Sequence, residues 1–284
     1  MEFAKYHGIG NDFIMIADPE DDLRISPAQV RRLCERRFGI GADGIIRVAP
    51  GEDGAELFMD YLNSDGSVGE MCGNGIRCLA VFARERGMTA SSELKVGTRA
   101  GIKVVEIVDD GRVRVDMGAP IFKPADIPLV SEREDGMREH VMLPPDFEDR
   151  LDLACLSLGN PHAVVFVDEP DDVDVPRIGS YIEHHDMFPN KANAEFVAVE
   201  SPSRIRMRVW ERGSGETLAC GTGACAAAVA ARLLRGVDER VTVALPGGEL
   251  EVKWAGSLEH DAPVLMTGPV AKSFEGEVDL KGLS

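Results

Sequence analysis

The sequence has few lysines and no long apolar run, and each shortage excludes a class of protein. Only 8 lysines accompany 23 arginines, and the 284 residues carry a formal net charge of −18 at pH 7. We expect no nucleic-acid partner, because phosphate contacts need a basic face. No stretch is apolar for long enough to cross a bilayer, so we expect no membrane partner either.

Cysteine is also scarce, and its spacing excludes two further classes. The six cysteines form neither a disulfide framework nor the CxxC pairs that zinc sites use. We therefore predict no metal. The first residues, Met1-Glu2-Phe3, lack the basic flank and apolar region of an export signal. A reducing cytoplasm is the expected location.

Two of the cysteines stand in matching turns, Cys72-Gly73-Asn74-Gly75 and Cys220-Gly221-Thr222-Gly223. Each turn directly precedes a segment with helical apolar spacing. A cysteine at a helix N-terminus feels the positive end of the helix dipole, which favours thiolate over thiol. The glycines let bare backbone approach a bound anion such as a carboxylate. We interpret the two turns as a matched pair of reactive thiols.

The matching continues along the chain at a nearly constant offset. Ile9–Phe13 corresponds to Leu158–His162 at an offset of 149, and an apolar run follows each segment. Asn63 and Glu211 each lie nine residues before the cysteine of their own half. Self-similarity at this length indicates a duplicated domain, because solenoid repeats have periods of only a few tens of residues. We predict one half over 1–118, with about 265–275 added, and another over 119–264.

Each half is predicted to be a two-layer α+β unit, with a mostly antiparallel sheet around a central helix that a cysteine leads. This pattern disfavours a Rossmann sheet, and no phosphate-loop signature is present. The predicted helices run from Pro27 to about Arg36, from the Cys72 turn to about Arg86, over Pro176–His184, and from the Cys220 turn to just before Gly236. The predicted strands lie near 3–6, 12–17, 44–49, 56–62, 94–96, 102–108, 112–117, 153–158, 162–168, 194–199, 204–210, 240–244, 249–254 and 263–267. Segment 131–150 is predicted to be a surface excursion without a catalytic part, and 275–284 a tail.

Two mirrored thiols suit the inversion of a tetrahedral carbon. A base removes a proton from one face while an acid delivers one to the other, and the two groups exchange roles in the reverse direction. The pair must then hold a single proton, one thiolate and one thiol, with coupled titrations. An amino-acid α-proton is weakly acidic, so the site must also exclude water and bind the carboxylate.

The individual residues also have structural interpretations. A lone cysteine is usually a small buried hydrophobe, and we assign that role to Cys34, Cys78, Cys155 and Cys225. Asparagines next to glycine or proline are common turn formers, a lone histidine is more often a satisfied core residue, and an adjacent Glu-Arg pair is usually a surface ion pair. The asparagines, the histidine and the Glu-Arg pair named below lie at matching positions relative to the cysteine turns, which favours a functional role for them.

The sequence resembles the diaminopimelate epimerase family from Lys5 to Pro269. The motifs are Met71-Cys72-Gly73-Asn74-Gly75, Gly159-Asn160-Pro161-His162, and Glu211-Arg212-Gly213 leading into Glu216–Gly223. The resemblance implies two pseudo-symmetric domains with the active site in an interdomain cleft, often in a homodimer. It also implies a cofactor-independent isomerase that converts LL-2,6-diaminoheptanedioate to the meso form in lysine biosynthesis.

By this resemblance Cys72 and Cys220 are the acid and base, and His162 and Glu211 flank the reacting amino group. Arg212 suits the distal carboxylate. The groups expected to hold the reacting carboxylate are Gly73, Asn74, Gly221 and Thr222, and the other expected substrate-binding residues are Asn11, Asn63, Asn160 and Asn193. Gly44 departs from part of the family, in which a glutamine side chain often contributes at this position.

Two other interpretations stay open at this point. Proline racemase-like and hydroxyproline epimerase enzymes also use two cysteines, but they tend to carry a histidine where this chain has Asn74. Their small cyclic substrates also need no arginine such as Arg212. A redox switch that joins Cys72 to Cys220 would not need the surrounding asparagines, arginine and glutamate.

Overall fold

The computed structural model describes residues 1–142 and 150–280, and the chain divides into two compact units. Unit 1 comprises Met1–Asp116 and the segment that begins at Thr267, and unit 2 comprises Met117–Met266. The sequence placed the first boundary after 118 and the second near 265. Among the described residues, no helix is long and apolar enough to span a membrane.

Four α-helices and seventeen strands occur in the described residues. The helices are α1 (Pro27–Cys34), α2 (Gly73–Glu85), α3 (Val175–Glu183) and α4 (Gly221–Arg235). The strands are β1 (Glu2–Gly8), β2 (Asn11–Ala17), β3 (Gly44–Pro50), β4 (Leu57–Asn63), β5 (Glu93–Thr98), β6 (Gly101–Ile107), β7 (Val113–Asp116), β8 (Glu139–Met142), β9 (Arg150–Ser157), β10 (Pro161–Phe166), β11 (Asn193–Ser201), β12 (Arg204–Glu211), β13 (Gly215–Thr217), β14 (Arg240–Leu245), β15 (Gly248–Lys253), β16 (Leu265–Gly268) and β17 (Ala271–Glu277).

Unit 1 is a mixed sheet in the order β17-β1-β2-β3-β4-β5-β6-β7. Its pairs β2–β3 and β4–β5 are parallel, and the others are antiparallel. Parallel neighbours need a crossover connection, and α1 and α2 supply the two crossovers. α2 packs on β1, β2, β6 and β7. The apolar positions that the sequence predicted for its buried face, Ile76, Leu79, Ala80 and Ala83, are all fully buried.

Unit 2 repeats this arrangement with β8-β9-β10-β11-β12-β14-β15, and β13 also pairs with β12. The parallel pairs are β10–β11, connected through α3, and β12–β14, connected through α4. From β9 to β15 the pair directions alternate antiparallel, parallel, antiparallel, parallel, antiparallel, as they do from β1 to β6. The predicted α+β class with two pseudo-symmetric, mostly antiparallel halves around a helix is confirmed.

Strand register preserves the sequence repeat at the ends of the parallel pairs. Phe13 lies opposite Gly44 in unit 1, and His162 lies opposite Asn193 in unit 2. Both members are displaced by the offset of 149 seen in the sequence. The chain therefore carries its polar site residues to equivalent strand ends in the two units.

Three predictions of local structure were wrong. α1 ends at Cys34, two residues before Arg36, because the chain turns back and the Leu33 carbonyl accepts from the backbone N–H groups of Ile40 and Gly41. The 275–284 tail is partly a strand, since β17 pairs with β1 as far as Glu277.

Segment 131–150, predicted as a surface excursion, contains strand β8. This strand pairs with β9, and its Glu139 and Val141 side chains are buried. Alternation of polar and apolar residues over four positions is too short a signal to separate such a strand from a loop. Residues 143–149 of that segment and 281–284 of the predicted tail lie outside the described residues.

Candidate active site

Cys72 is the N-cap of α2. Its backbone is extended, and its sulfur accepts a hydrogen bond from the Gly75 backbone N–H at 3.4 Å. Gly75 is required by close packing, because a Cβ there would lie 2.6 Å from Ile46 Cδ1 and 2.9 Å from Met59 Cε. The glycine lets the first turn of the helix press against the sheet, which holds the sulfur at the positive end of the helix dipole.

Two predicted asparagines lie beside Cys72. The Cys72 thiol donates to Asn11 Oδ1 at 3.7 Å, and Asn74 Nδ2 donates to the same oxygen at 3.2 Å. The other end of the Asn11 amide donates from Nδ2 to Asp43 Oδ2 at 2.8 Å. Asp43, which the sequence analysis missed, therefore fixes which end of the Asn11 amide faces the cysteine.

Asn63 and Gly44 lie opposite each other on β4 and β3. Asn63 Nδ2 donates to Ser67 Oγ at 3.0 Å, so this side-chain contact stays within its own turn. A Cβ at Gly44 would lie 2.6 Å from the Leu62 carbonyl oxygen and 2.7 Å from Tyr61 Cε2. Glycine at this position is thus explained by packing, and the space that a glutamine side chain would need is occupied.

Cys220 holds the equivalent position at the N-cap of α4. Its sulfur accepts from the Gly223 backbone N–H at 3.3 Å and lies 3.5 Å from Thr222 Oγ1. Burial raises the pKa of the Cys220 thiol well above its usual value, and the negative charges of Glu211 and Glu195 raise it further. The hydrogen bonds from Thr222 and Gly223 act in the opposite direction.

Glu211 is the carboxylate that lies against Cys220. Desolvation raises the pKa of its carboxyl group, while hydrogen bonds with Thr217 and Cys220 oppose that increase. The Thr217 hydroxyl donates to Glu211 Oε1. The contact gives the thiol form of Cys220 an acceptor for its proton.

His162 contacts Asn160 and is fully buried. Its Nδ1 is 2.7 Å from Glu195 Oε1, and its Nε2 is 3.0 Å from Asn160 Oδ1. Asn160 in turn donates from Nδ2 to Thr222 Oγ1 at 3.3 Å. Both ring nitrogens of His162 are therefore engaged within unit 2, and its contact with a reacting amino group stays a prediction.

The Asn193 side chain is hydrogen-bonded to the backbone of Arg212. Asn193 Nδ2 donates to the Pro161 carbonyl at 2.9 Å, and its Oδ1 accepts from the Arg212 backbone N–H at 2.9 Å. The exposed Arg212 side chain donates to the Asn190 carbonyl at 3.1 Å. Asn193 thus ties the start of β10 to the turn that displays the arginine.

The backbone groups predicted to bind the reacting carboxylate occupy the first two positions of the two helices. Gly73 and Asn74 begin α2, and Gly221 and Thr222 begin α4. Backbone N–H groups at these positions have no partner within the helix. Together with the helix dipole they form a suitable environment for an anion.

The structure gathers most predicted site residues around one cysteine in each unit. Asn11 and Asn74 lie next to Cys72, whereas Asn63 is held by Ser67. The residues linked to Cys220 directly or through hydrogen bonds are Glu211, Thr222, Asn160 and His162. In the described part of the chain, no group of three His, Cys, Asp or Glu residues is arranged to hold a metal ion.

Three buried or ion-paired carboxylates were missed by the sequence analysis: Asp43, Glu183 and Glu195. Glu195 had a usable signal, since it is a charged residue inside the otherwise apolar run of β11, and a charge is rarely buried without a specific partner. Asp43 had none, because its contact with Asn11 joins positions that are 32 residues apart.

Comparison with known proteins gives a consistent family. The family model described as diaminopimelate epimerase matches residues 3–123 and 154–273. A diaminopimelate epimerase from Thioalkalivibrio sulfidiphilus is 47% identical over 283 residues, which cover 99% of each chain. One from Acetivibrio thermocellus is 47% identical over 289 residues, which cover 100% of each chain.

Solved structures share the fold at low identity. A phenazine biosynthesis protein of the PhzF family from Bacillus anthracis aligns with a TM-score of 0.70 and 17% identity, over 98% of each chain. A hydroxyproline epimerase from Agrobacterium vitis aligns with a TM-score of 0.68 and 15% identity, over 97% of this chain and 91% of that one. These likenesses concern the fold alone.

Proposed function

We propose that this chain, which belongs to the diaminopimelate epimerase family, converts LL-2,6-diaminoheptanedioate to the meso isomer by passing the α-proton between Cys72 and Cys220. As a member of that family it is an isomerase. The observation that carries the two-thiol proposal is the equivalence of the two cysteines. Each is the N-cap of its helix, and each sulfur accepts from the third helical N–H, at 3.4 Å in unit 1 and 3.3 Å in unit 2.

The two thiols act as base and acid on opposite faces of one α-carbon. One sulfur takes the α-proton as a thiolate, and the other delivers a proton as a thiol, so the exchange leaves their roles reversed. Burial and two neighbouring carboxylates raise the pKa of Cys220. This shift favours the thiol form of Cys220 in the resting site.

The reacting carboxylate is proposed to bind the backbone N–H groups of the first helical positions, at Gly73, Asn74, Gly221 and Thr222. Negative charge that develops on this carboxylate during proton removal would then meet the positive ends of the helices, which lowers the barrier. Because the groups are part of folded helices, they need no reorganisation at the moment of reaction. The chemistry proposed here requires no cofactor.

The remaining polar residues are proposed to fix the substrate. Arg212 binds the distal carboxylate, for which its exposed guanidinium is suited. Glu211 and His162 act near the reacting amino group, with His162 acting through Asn160. The other proposed substrate-binding residues are Asn11, Asn63, Asn160 and Asn193.

We also propose that the chain works as a homodimer in the cytoplasm. Family membership supports the homodimer, and the absence of a disulfide framework supports the reducing compartment. The product feeds lysine biosynthesis, which follows from the reaction.

A proline or hydroxyproline substrate is the second candidate, because a hydroxyproline epimerase shares this fold. Two features favour diaminoheptanedioate. The relatives at 47% identity over the whole chain are diaminopimelate epimerases, and the displayed Arg212 suits a second carboxylate that proline lacks.

The test compares turnover of LL-2,6-diaminoheptanedioate, L-proline and hydroxyproline by the unmodified chain. The meso isomer is expected with the first substrate and no product with the other two. Cys72→Ala and Cys220→Ala should abolish turnover. Cys78→Ala and Cys225→Ala, which change buried cysteines in the same two helices, are the controls and should retain it. Turnover of proline alone would refute the assignment.

A further inference from the structure

A chain of hydrogen-bonding groups leads from a buried carboxylate to the Cys220 sulfur. It begins at Glu195 on β11 and passes through His162 and Asn160 to Thr222. The successive separations are 2.7 Å for Glu195 Oε1 to His162 Nδ1, 3.0 Å for His162 Nε2 to Asn160 Oδ1, 3.3 Å for Asn160 Nδ2 to Thr222 Oγ1, and 3.5 Å for Thr222 Oγ1 to Cys220 Sγ.

The direction of this chain follows from which atoms can donate. Glu195 Oε1 and Asn160 Oδ1 are both acceptors, and they flank the two ring nitrogens of His162. The arrangement is satisfied when His162 Nε2–H donates to Asn160 Oδ1 and one hydrogen lies between Nδ1 and Glu195 Oε1. Asn160 then presents its NH₂ group to Thr222. With its oxygen accepting from that amide, the Thr222 hydroxyl hydrogen is left for the sulfur of Cys220.

We infer that Glu195 is a positioning residue that, through His162 and Asn160, aims the Thr222 hydroxyl at the Cys220 thiolate. The inference rests on the proposed function, in which Cys220 alternates between thiol and thiolate. As a thiol it can donate to the Glu211 carboxylate. As a thiolate it needs donors, and the Thr222 hydroxyl joins the Gly223 backbone N–H in that role.

The burial of Glu195 is consistent with this positioning role. Its side chain is completely buried, at 0% relative accessibility, and its Oε2 has no hydrogen-bond partner among the described residues. A buried carboxylate with an unsatisfied oxygen costs folding free energy. Gly223 makes room for it, because a Cβ at that position would lie 2.7 Å from Glu195 Oε1.

The groups that face Cys220 make the sign of the effect informative. Glu211 on β12 and Glu195 on β11 carry negative charge, whereas Thr222 and Gly223 donate hydrogen bonds from α4. His162 on β10 contacts Glu195. If Glu195 acted only through its charge, its removal would make the thiolate easier to form. If it acts through the hydrogen-bond chain, its removal makes the thiolate harder to form, because His162 and Asn160 lose their fixed orientation and the Thr222 hydroxyl donor is misdirected.

The test is the rate at which iodoacetamide modifies Cys220 at pH 8, followed by mass spectrometry of its peptide in the full chain. Cys72, in the other unit, is the internal reference. Glu195→Gln is expected to slow the modification of Cys220 about tenfold, which corresponds to a rise of about one unit in its thiol pKa. The modification rate of Cys72 should not change. Glu139→Gln, which neutralises another buried carboxylate of unit 2, should leave both rates unchanged.

Thr222 variants examine the last contact of the chain. Thr222→Val should slow Cys220 as much as Glu195→Gln does, and Thr222→Ser should rescue the rate because it restores the hydroxyl. The double variant should be no slower than either single one, since both break the same chain. The ¹³Cβ resonance of Cys220 at high pH reports the thiolate fraction without requiring the reagent to enter.

Faster or unchanged modification in Glu195→Gln would overturn the inference, as would additive effects in the double variant. The readout needs no substrate. A chain that fails to turn over diaminoheptanedioate but shows the slowed Cys220 would refute the proposed function alone, and the reverse result would refute the inference alone.

Discussion

The Asp43 carboxylate accepts from the Asn11 amide nitrogen at 2.8 Å and thereby turns the amide oxygen of Asn11 toward the Cys72 thiol. Asp43 is itself held by Arg36 at 2.6 Å. In Asp43→Ala the amide is free to rotate and can present its NH₂ group to the sulfur. We expect kcat to fall roughly tenfold, as for the loss of one hydrogen bond to a charged group.

Steady-state kinetics of Asp43→Ala beside Asp110→Ala checks this. Asp110 lies at the exposed turn between β6 and β7, so its variant should behave as the unmodified chain. Equal kcat values for the two variants would show that Asp43 does not orient the site.

Glu183, at the end of α3, anchors the turn that displays Arg212. Its carboxylate accepts from Trp210 Nε1 at 2.7 Å and from the Gly213 backbone N–H at 3.0 Å. Glu183→Gln retains only one acceptor oxygen, so one of these donors is left facing an amide NH₂. We expect KM for diaminoheptanedioate to rise roughly tenfold or more through misplacement of the arginine, with kcat less affected.

Lys191→Met is the matched control for that variant, because Lys191 contacts the same carboxylate at 3.4 Å from an exposed position. Exposed ion pairs contribute little, so its KM should change by less than the KM of Glu183→Gln. A loss confined to kcat in Glu183→Gln would contradict the positioning role.

Because of Asp12, the free energy of unfolding of unit 1 should fall at acid pH. Burial raises the pKa of its carboxyl, but hydrogen bonds from Arg36 and Lys5 outweigh that effect and lower the pKa to about 2. A carboxyl whose pKa is depressed in the folded state stabilises above its unfolded pKa, and this contribution is lost as the pH falls through the folded value.

We therefore expect about 2 kcal/mol of the free energy of unfolding to be lost between about pH 4 and pH 2 on account of Asp12. Urea titrations at a series of pH values measure it. Asp12→Asn should be less stable than the unmodified chain at pH 7, and the difference should shrink toward pH 2. A difference that does not vary with pH would contradict the linkage.

Gly44 tests whether packing explains a departure from the family pattern. Gly44→Ala places a Cβ 2.6 Å from the Leu62 carbonyl oxygen and should cost about 1–3 kcal/mol of unfolding free energy, as overpacking does. Gly97→Ala, in another strand of unit 1, meets its nearest atom at 3.2 Å and should cost less. Thermal or urea unfolding compares the two, and equal losses would remove the packing explanation.

The cysteine turns could be predicted because their signal is local. A cysteine, two glycines and a helical apolar pattern lie within one short segment, so helix start, N-cap and free N–H groups follow from neighbouring residues. The repeat supplied the long-range information that one segment lacks. It linked Asn63 with Glu211 and Asn11 with Asn160, and it indicated two equivalent units.

The residues that hold the site could not be predicted in the same way. Glu195 reaches His162 only because β10 and β11 are adjacent and parallel, and Asp43 reaches Asn11 across β2 and the turn before β3. Such partners are set by strand register, which depends on the packing of the whole sheet. The ring of His162 is fully buried and contacts Asn160, and its role near a reacting amino group stays a prediction.

Deuterium exchange at the α-carbon by single-cysteine variants tests two-thiol epimerisation most directly. LL- and meso-2,6-diaminoheptanedioate are each incubated in deuterium oxide with Cys72→Ala or Cys220→Ala and followed by proton NMR. Each variant retains one sulfur and so can serve only one face of the carbon. We expect no epimerisation by either variant, with deuterium entering different isomers in the two cases. Epimerisation at an undiminished rate by either variant, or exchange of the same isomer by both, would contradict the two-thiol account.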